Sequence, residues 1–314
     1  MTSTAVSALA LAVDLGGTKV EAALVDSAGT VLPGSRARRP TGAALSSDGL
    51  ADAVRAVMTE ALGALPTGTT LLGVGIGCAG PISALGGFVS PLNLPVWRGY
   101  PLADLASSIV PEVPVTVRMD GLCIALAEHW VGATRGYDNS LGMIVSTGIG
   151  GGIVLHGATV SGSTGNAGHI GHIEVAGFDD PCACGGIGCV EAIASGPKTV
   201  AWARAQGWSG HSGEELGASH RAGDKVAVAA IERSGRAIGQ AIASATALLD
   251  LDVVAIGGGF SHVSPDLFDH VRQAISRRRQ FDFVTKVKVV PSALSGDGPL
   301  IGAAALVHRA GSVG

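Results

Sequence analysis

The chain is poor in charge. Asp, Glu, Lys and Arg make up 15% of its 314 residues and leave a net charge of −4. Its basic residues form no stripe to neutralise a run of phosphates, which excludes nucleic acid as the main partner. Long apolar runs are missing as well. No segment approaches the roughly 20 residues that span a bilayer, so no membrane partner is expected. Ala5–Val13 is apolar, but no basic residue precedes it and Asp14-Leu15-Gly16-Gly17 follows at once. It reads as a first strand rather than a signal core. Common phosphate signatures are also lacking: there is no GxxxxGK[ST], and no GxGxxG leads into a helix. That excludes a P-loop and disfavours a dinucleotide. Cysteine is limited to five residues, of which Cys78 and Cys123 stand far apart and read as reduced core residues. A cytoplasmic location fits.

Apolar residues are plentiful at 47%, and 48 glycines sit mostly in short clusters. The length suggests two domains. Short apolar runs at Leu9–Val13, Ala22–Val25 and Val31–Leu32 read as strands separated by glycine turns. Ser47–Leu65 has helical spacing, with Leu50, Val54, Met58 and Leu62 on one stripe. Further strands are expected at Leu71–Ile76, Val115–Met119, Gly142–Val145, Gly152–Leu155, Val253–Ile256 and Val287–Val290. Helices are expected at Leu102–Ile109, Leu122–Val131, Lys225–Leu249, Pro265–Arg279 and Gly302–His308. The stretch Val89–Tyr100 reads as a loop, and the polar Gly207–Asp224 as a mobile connection. This alternation predicts an α/β protein with mixed sheets. The expected domains are 1–118, joined by a closing helix at about 300–314, and 119–299.

Three cysteines, Cys182, Cys184 and Cys189, fall within eight residues, and His172 lies ten positions upstream. Three thiolates and one imidazole suit tetrahedral Zn²⁺. Four protein ligands leave no place for an activated water, so the metal is expected to be structural. Three glycine turns invite a phosphate reading. Asp14-Leu15-Gly16-Gly17-Thr18-Lys19 lies between two strands, where backbone N–H groups and the Thr18 hydroxyl can face an anion. Asp14 is a candidate for holding Mg²⁺ through water. Ser146-Thr147-Gly148-Ile149-Gly150-Gly151-Gly152 repeats the arrangement. Gly257-Gly258-Gly259 caps a strand in a manner suited to a nucleoside.

Together AVDLGGTK, STGIGGG and GHIGH followed by CACGGIGCVE resemble the ROK family, within the actin-like ATPase and sugar kinase (ribonuclease H-like) fold, and the resemblance spans nearly the whole chain. It implies a two-domain clamp in which ATP with Mg²⁺ meets a hexose, and a homodimer or higher oligomer. Residue by residue, it implies that Asp120 is the catalytic base and that Glu191 binds the sugar. His172 would serve zinc with one nitrogen and a sugar hydroxyl with the other, while Gly80, Asn93 and His169 would also contact the sugar. For Asp120 the alternative is a helix N-cap, and for Glu191 a solvated charge. The donor contacts implied are Asp14, Gly16, Gly17, Thr18, Lys19, Thr147, Gly148, Gly150, Gly257, Gly258 and Gly259.

Two positions depart from the family pattern. Met119 stands where many relatives carry Asn, and His169 where many carry Glu. Some bacterial N-acetylmannosamine kinases share GHIGH, whereas mycobacterial sugar kinases resemble the chain across DGLCIALAEHW. The longer match favours 6-phosphorylation of glucose, with an N-acylhexosamine kinase as the rival. Polyphosphate ranks below ATP as donor, since no basic track runs along the chain. A sugar-sensing repressor is disfavoured, because only about a dozen residues precede Asp14. A catalytically silent sensor is the remaining non-enzymatic alternative.

Overall fold

The computed structural model describes residues 8–83 and 87–314, apart from the Ser295 side chain. Ala5–Ser7 of the expected first strand lie outside that range. Two five-stranded sheets are built on one plan, an antiparallel hairpin continued by parallel strands. The first takes the order β3-β2-β1-β4-β8, from Ala8–Leu15 (β1), Lys19–Asp26 (β2), Ala37–Pro40 (β3), Thr70–Cys78 (β4) and Val115–Met119 (β8). Between them come helix Ser47–Gly63 (α1), three two-residue strands Ile82–Ser83 (β5), Phe88–Val89 (β6) and Tyr100–Pro101 (β7), and helix Leu102–Ile109 (α2).

The first strand shows how the sheet is covered. Leu9, Leu11 and Val13 face α1 and its stripe of Leu50, Val54 and Met58. Ala10 and Ala12, pointing the other way, meet Leu300, Ala303 and Ala304. Alternation of period two places large residues on one face and small ones on the other. The small face lets the last helix, Gly298–His308 (α10), approach closely. A Cβ at Gly75 would lie 1.8 Å from the Ala303 carbonyl oxygen.

Asp120–Val131 (α3) leads to the second sheet, order β11-β10-β9-β12-β13. Its strands are Ser140–Val145 (β9), Ile149–Leu155 (β10), Ala158–Thr159 (β11), Val253–Gly257 (β12) and Lys288–Pro291 (β13). Helices Val190–Ala194 (α4), Gly196–Ala205 (α5), Gly213–Arg221 (α6), Lys225–Leu249 (α7), Asp266–Ser276 (α8) and Asp282–Thr285 (α9) accompany it. The Asp224 carboxylate caps α7 by accepting the amides of Val226 and Ala227. At α3 glycines remove the side-chain layer: a Cβ at Gly142 would sit 2.6 Å from the Ala125 Cα, and one at Gly302 2.2 Å from the Cys123 oxygen.

Several expectations need correction. Val31–Leu32 is not a strand; Val31 makes one bridge to Val25, and the third strand comes from Ala37–Pro40. Its Arg38 and Arg39 suit an exposed edge, where charge discourages further pairing. Gly207–Asp224 is not simply a connection, because it contains α6, capped by the Ser212 hydroxyl. The turn after β9 is shorter than expected, so Ile149, Gly150 and Gly151 are strand residues. Val89–Tyr100 is irregular except at its ends, which belong to the small sheet.

Candidate functional site

Asp14 is buried near the carboxyl end of β1, close to Asp120. Burial, helped by the charges of Asp120 and Glu21 and opposed by Lys19, pushes its pKa up to about 7. The following turn closes through Gly16 N–H donating to the Lys19 carbonyl at 2.9 Å. Lys19 pairs with Glu21, so its ammonium is tied along β2. A Cβ on Gly17 would lie 2.4 Å from Asn93 Nδ2. The glycine thus admits the carboxamide of the Val89–Tyr100 segment to the edge of the hairpin.

The second hairpin closes through Ser146 N–H donating to the Gly148 carbonyl at 2.9 Å. Thr147 is exposed at its tip. Ile149 N–H donates to Glu191 Oε2 at 2.8 Å, and a Cβ on Gly148 would lie 2.7 Å from that oxygen. Gly257 ends β12, Gly258 has φ 93°, and a 3-10 turn Gly259–His262 follows before α8.

Asp120 is the first residue of α3, while Met119 occupies the cap position without a side-chain bond. The Asp120 carboxylate accepts its neighbour's amide, Gly121 N–H, at 2.7 Å. Its side chain is exposed to solvent, yet the protein mass around it raises its pKa, partly offset by the Gly121 amide and the nearby His169. Burial and His172 lower the pKa of His169, against the opposing pull of Asp120 and Glu191. A Cβ at Gly80 would come within 3.3 Å of the His169 ring. Gly80, Asp120, His169 and Glu191 therefore converge, although they arise from four separate segments.

The cysteine cluster forms as expected. His172 Nδ1 lies 3.6 Å from Cys182 Sγ, and Cys184 Sγ lies 3.7 Å from Cys189 Sγ. One donor atom from each of the four residues falls within 4.8 Å of all the others. That donor set fits a tetrahedral metal site closed by protein ligands. Gly185 and Gly188, at φ 96° and 78°, let the loop double back. Cys189 immediately precedes α4, which carries Glu191. Below the loop, Arg233 donates to Asp180 Oδ2 at 2.5 Å and to the Ile193 carbonyl at 3.2 Å. Its guanidinium stands over the rings of Phe178 and Trp202.

A cavity of about 930 Å³ opens beside the second hairpin, bounded by Ser146, Thr147, Gly259, Arg204, His211 and Phe260. Sequence reasoning missed the last three. Phe260 directly follows the triple glycine, a usable signal; Arg204 and His211 carried none.

The ROK family model matches residues 10–310. The chain belongs to the ROK family. It is 32% identical over 315 residues to a glucokinase of Thermotoga maritima, covering 95% of this chain and 97% of that one. It is 33% identical over 296 residues to an N-acetylmannosamine kinase of Escherichia coli, covering 94% and 97% respectively. A crystal structure of a ROK family glucokinase from Streptomyces griseus, in complex with glucose and AMPPNP, superposes with a TM-score of 0.81 at 30% identity. That superposition covers 96% of this chain and 99% of the other, so the fold is that of the ROK sugar kinases. No helix among the described residues is long and apolar enough to cross a membrane.

Proposed function

We propose that this ROK protein transfers the γ-phosphoryl group of ATP to the 6-hydroxyl of a hexose, with glucose the preferred acceptor. The chain is a sugar kinase; the choice of sugar and the residue roles are our reading. One observation carries it: Asp120 and Glu191, 71 positions apart in sequence, both act electrostatically on His169, which lies against Gly80. A carboxylate at a strand end, a second carboxylate and an imidazole around a glycine form a polar pocket of sugar size.

In this reading Asp120 accepts the proton of the primary hydroxyl as its oxygen attacks phosphorus. The two lobes are taken as 1–118 with 300–314, and 119–299. Glu191 and His169 orient ring hydroxyls, assisted by Asn93 and by His172 Nε2, since Nδ1 faces the cysteines. The hairpins at Gly16–Lys19 and Thr147–Gly150 receive the phosphates, and the turn Gly257–Gly259 with the adjoining cavity receives the nucleoside. Asp14 would hold Mg²⁺ through water, and the ion would supply neutralisation of the donor's phosphate charge. His172, Cys182, Cys184 and Cys189 would hold Zn²⁺, which would be structural and would fix the start of α4. Lobe closure excludes water, a competing acceptor. ATP ranks above polyphosphate, and the same reading includes a homodimer or higher homo-oligomer.

Phosphorylation of an N-acylhexosamine is the second reading. His169, lodged against Gly80 where many relatives carry Glu, favours it, as does the likeness to the E. coli N-acetylmannosamine kinase. A coupled assay with Mg-ATP and glucose, mannose, N-acetylglucosamine or N-acetylmannosamine decides. The highest kcat/KM is expected with glucose. A higher value with N-acetylmannosamine transfers the assignment to the second reading, and no turnover of any sugar leaves a silent sensor.

A further inference from the structure

Helix α3 begins at Asp120 and ends, about 18 Å away at 1.5 Å per residue, against a second cavity. This cavity of about 710 Å³ is assembled from three distant parts of the chain. Ser27 and Ala28 come from the turn after β2. His129 and Trp130 end α3, followed by Arg135 and Tyr137 in the segment entering β9. Arg309 follows α10.

The charges there are unbalanced. Among the described residues no carboxylate forms an ion pair with Arg135 or Arg309. The nearby Asp26 carboxylate is turned to its own loop through one oxygen, Oδ1 accepting Ala28 N–H and Thr30 N–H at 2.9 Å each. Asp138 is the one acidic residue on the wall. Lys288 adds a further cation behind, donating to the Tyr137 hydroxyl at 3.0 Å. Burial and the Arg309 charge hold His129 below the usual imidazole range, opposed by the Tyr137 backbone and Asp138. Its ring adds a hydrogen-bonding group beside two permanent cations.

We propose that this cavity binds a small phosphate monoester, clamped between Arg135 and Arg309 with its organic part against Trp130 and Tyr137. Guanidinium groups match phosphate oxygens in pairs, and an aromatic wall accepts the remainder of the molecule. The volume lies within the usual range for small-ligand sites. The ligand would bridge the turn after β2 and the segment entering β9, and so bear on the end of the helix whose first residue is Asp120. Its binding is independent of the kinase reading; its effect on turnover rests on it.

Calorimetric titration of the whole protein with glycerol 3-phosphate and with inorganic phosphate tests the site. Saturable binding of one glycerol 3-phosphate per chain is expected, weakened by about tenfold or more in the Arg135→Ala/Arg309→Ala double variant. Tighter binding of the ester identifies an esterified ligand; equal affinities identify free phosphate, through the same two arginines. No saturation at millimolar ligand, or unchanged affinity in the double variant, overturns the site. In the sugar kinase assay, the ester should alter kcat without competing with sugar or ATP, and the double variant should abolish the effect. Without ligand the double variant should turn over like the parent. Binding with unaltered kcat retains the site and overturns its coupling to Asp120.

Discussion

The Ile149 amide donates to Glu191 Oε2 at 2.8 Å, joining the second glycine hairpin to the helix that begins at the cysteine cluster. One oxygen of the carboxylate is held by that turn, which leaves the other, in the proposed mechanism, for the sugar. Under the proposed mechanism, a change at the metal loop is felt on the sugar side first.

Removal of the metal should therefore act chiefly on the sugar. Cys184→Ser, or dialysis against a strong chelator, is expected to raise the sugar KM by about tenfold or more, with a smaller change in the KM for ATP. Elemental analysis should find one Zn per chain in the parent and little in the variant. A zinc-free parent with full activity would refute the structural role.

Arg233 ties the same loop to α4 without touching metal or cleft. Arg233→Ala should raise the sugar KM while leaving kcat within a few-fold, because Glu191 is displaced and Asp120 is not. Arg233→Lys restores charge but not the two-pronged contact, so only partial recovery is expected. A fall in kcat alone would show that the tie does not position the sugar.

Asp120→Asn should lower kcat by roughly 10²–10⁴-fold, the usual worth of a positioned base, with sugar affinity nearly retained. Single-turnover kinetics together with equilibrium sugar binding separate the two. Near-parental turnover would remove Asp120 from the mechanism.

Asp14 couples stability to pH in the direction opposite to a salt-bridged carboxylate. Its folded pKa of about 7 exceeds the ordinary 3.8, so between those values the folded chain binds more protons than the unfolded one. Stability from this group is full below the lower value and declines as pH rises towards 7. Asp14→Asn should accordingly raise the melting temperature at pH 8, in the absence of Mg²⁺, by a gain on the order of 1–2 kcal/mol. At pH 4 the gain should vanish, and activity should be lost throughout. For the parent, kcat/KM should fall on the acid side near pH 7 as the carboxyl protonates. A melting temperature unchanged at pH 8 would contradict the cost of its ionised form.

A tight backbone crossing gives a stability test near the site. A Cβ at Gly121 would lie 2.3 Å from the Gly151 carbonyl oxygen. Gly121→Ala should destabilise the fold by about 1–3 kcal/mol through overpacking, and lower kcat by tilting Asp120. Urea denaturation and steady-state kinetics measure the two effects.

Much of the fold was legible because its strongest signals are local. Leu102–Ile109, Val115–Met119 and Lys225–Leu249 fall where the apolar period put them. What escaped was held by tertiary contact rather than pattern. Ala37–Pro40 is an edge strand whose arginines mask its period, and α6 buries only Leu216 and Gly217. The cysteine cluster was readable because three thiols and an imidazole in one short stretch are chemically unusual. Arg233 was not, since an arginine gives no sign in sequence of the aspartate 53 positions away that it will meet.

The contacts of Gly142 with Ala125, Gly121 with Gly151 and Gly302 with Cys123 share a mechanical meaning. Where main chain rests directly on main chain, no rotamer can act as a shim. The inclination of α3 is set by the peptide framework itself, and adaptation to a different sugar must come from the rim of the cleft while this axle stays fixed.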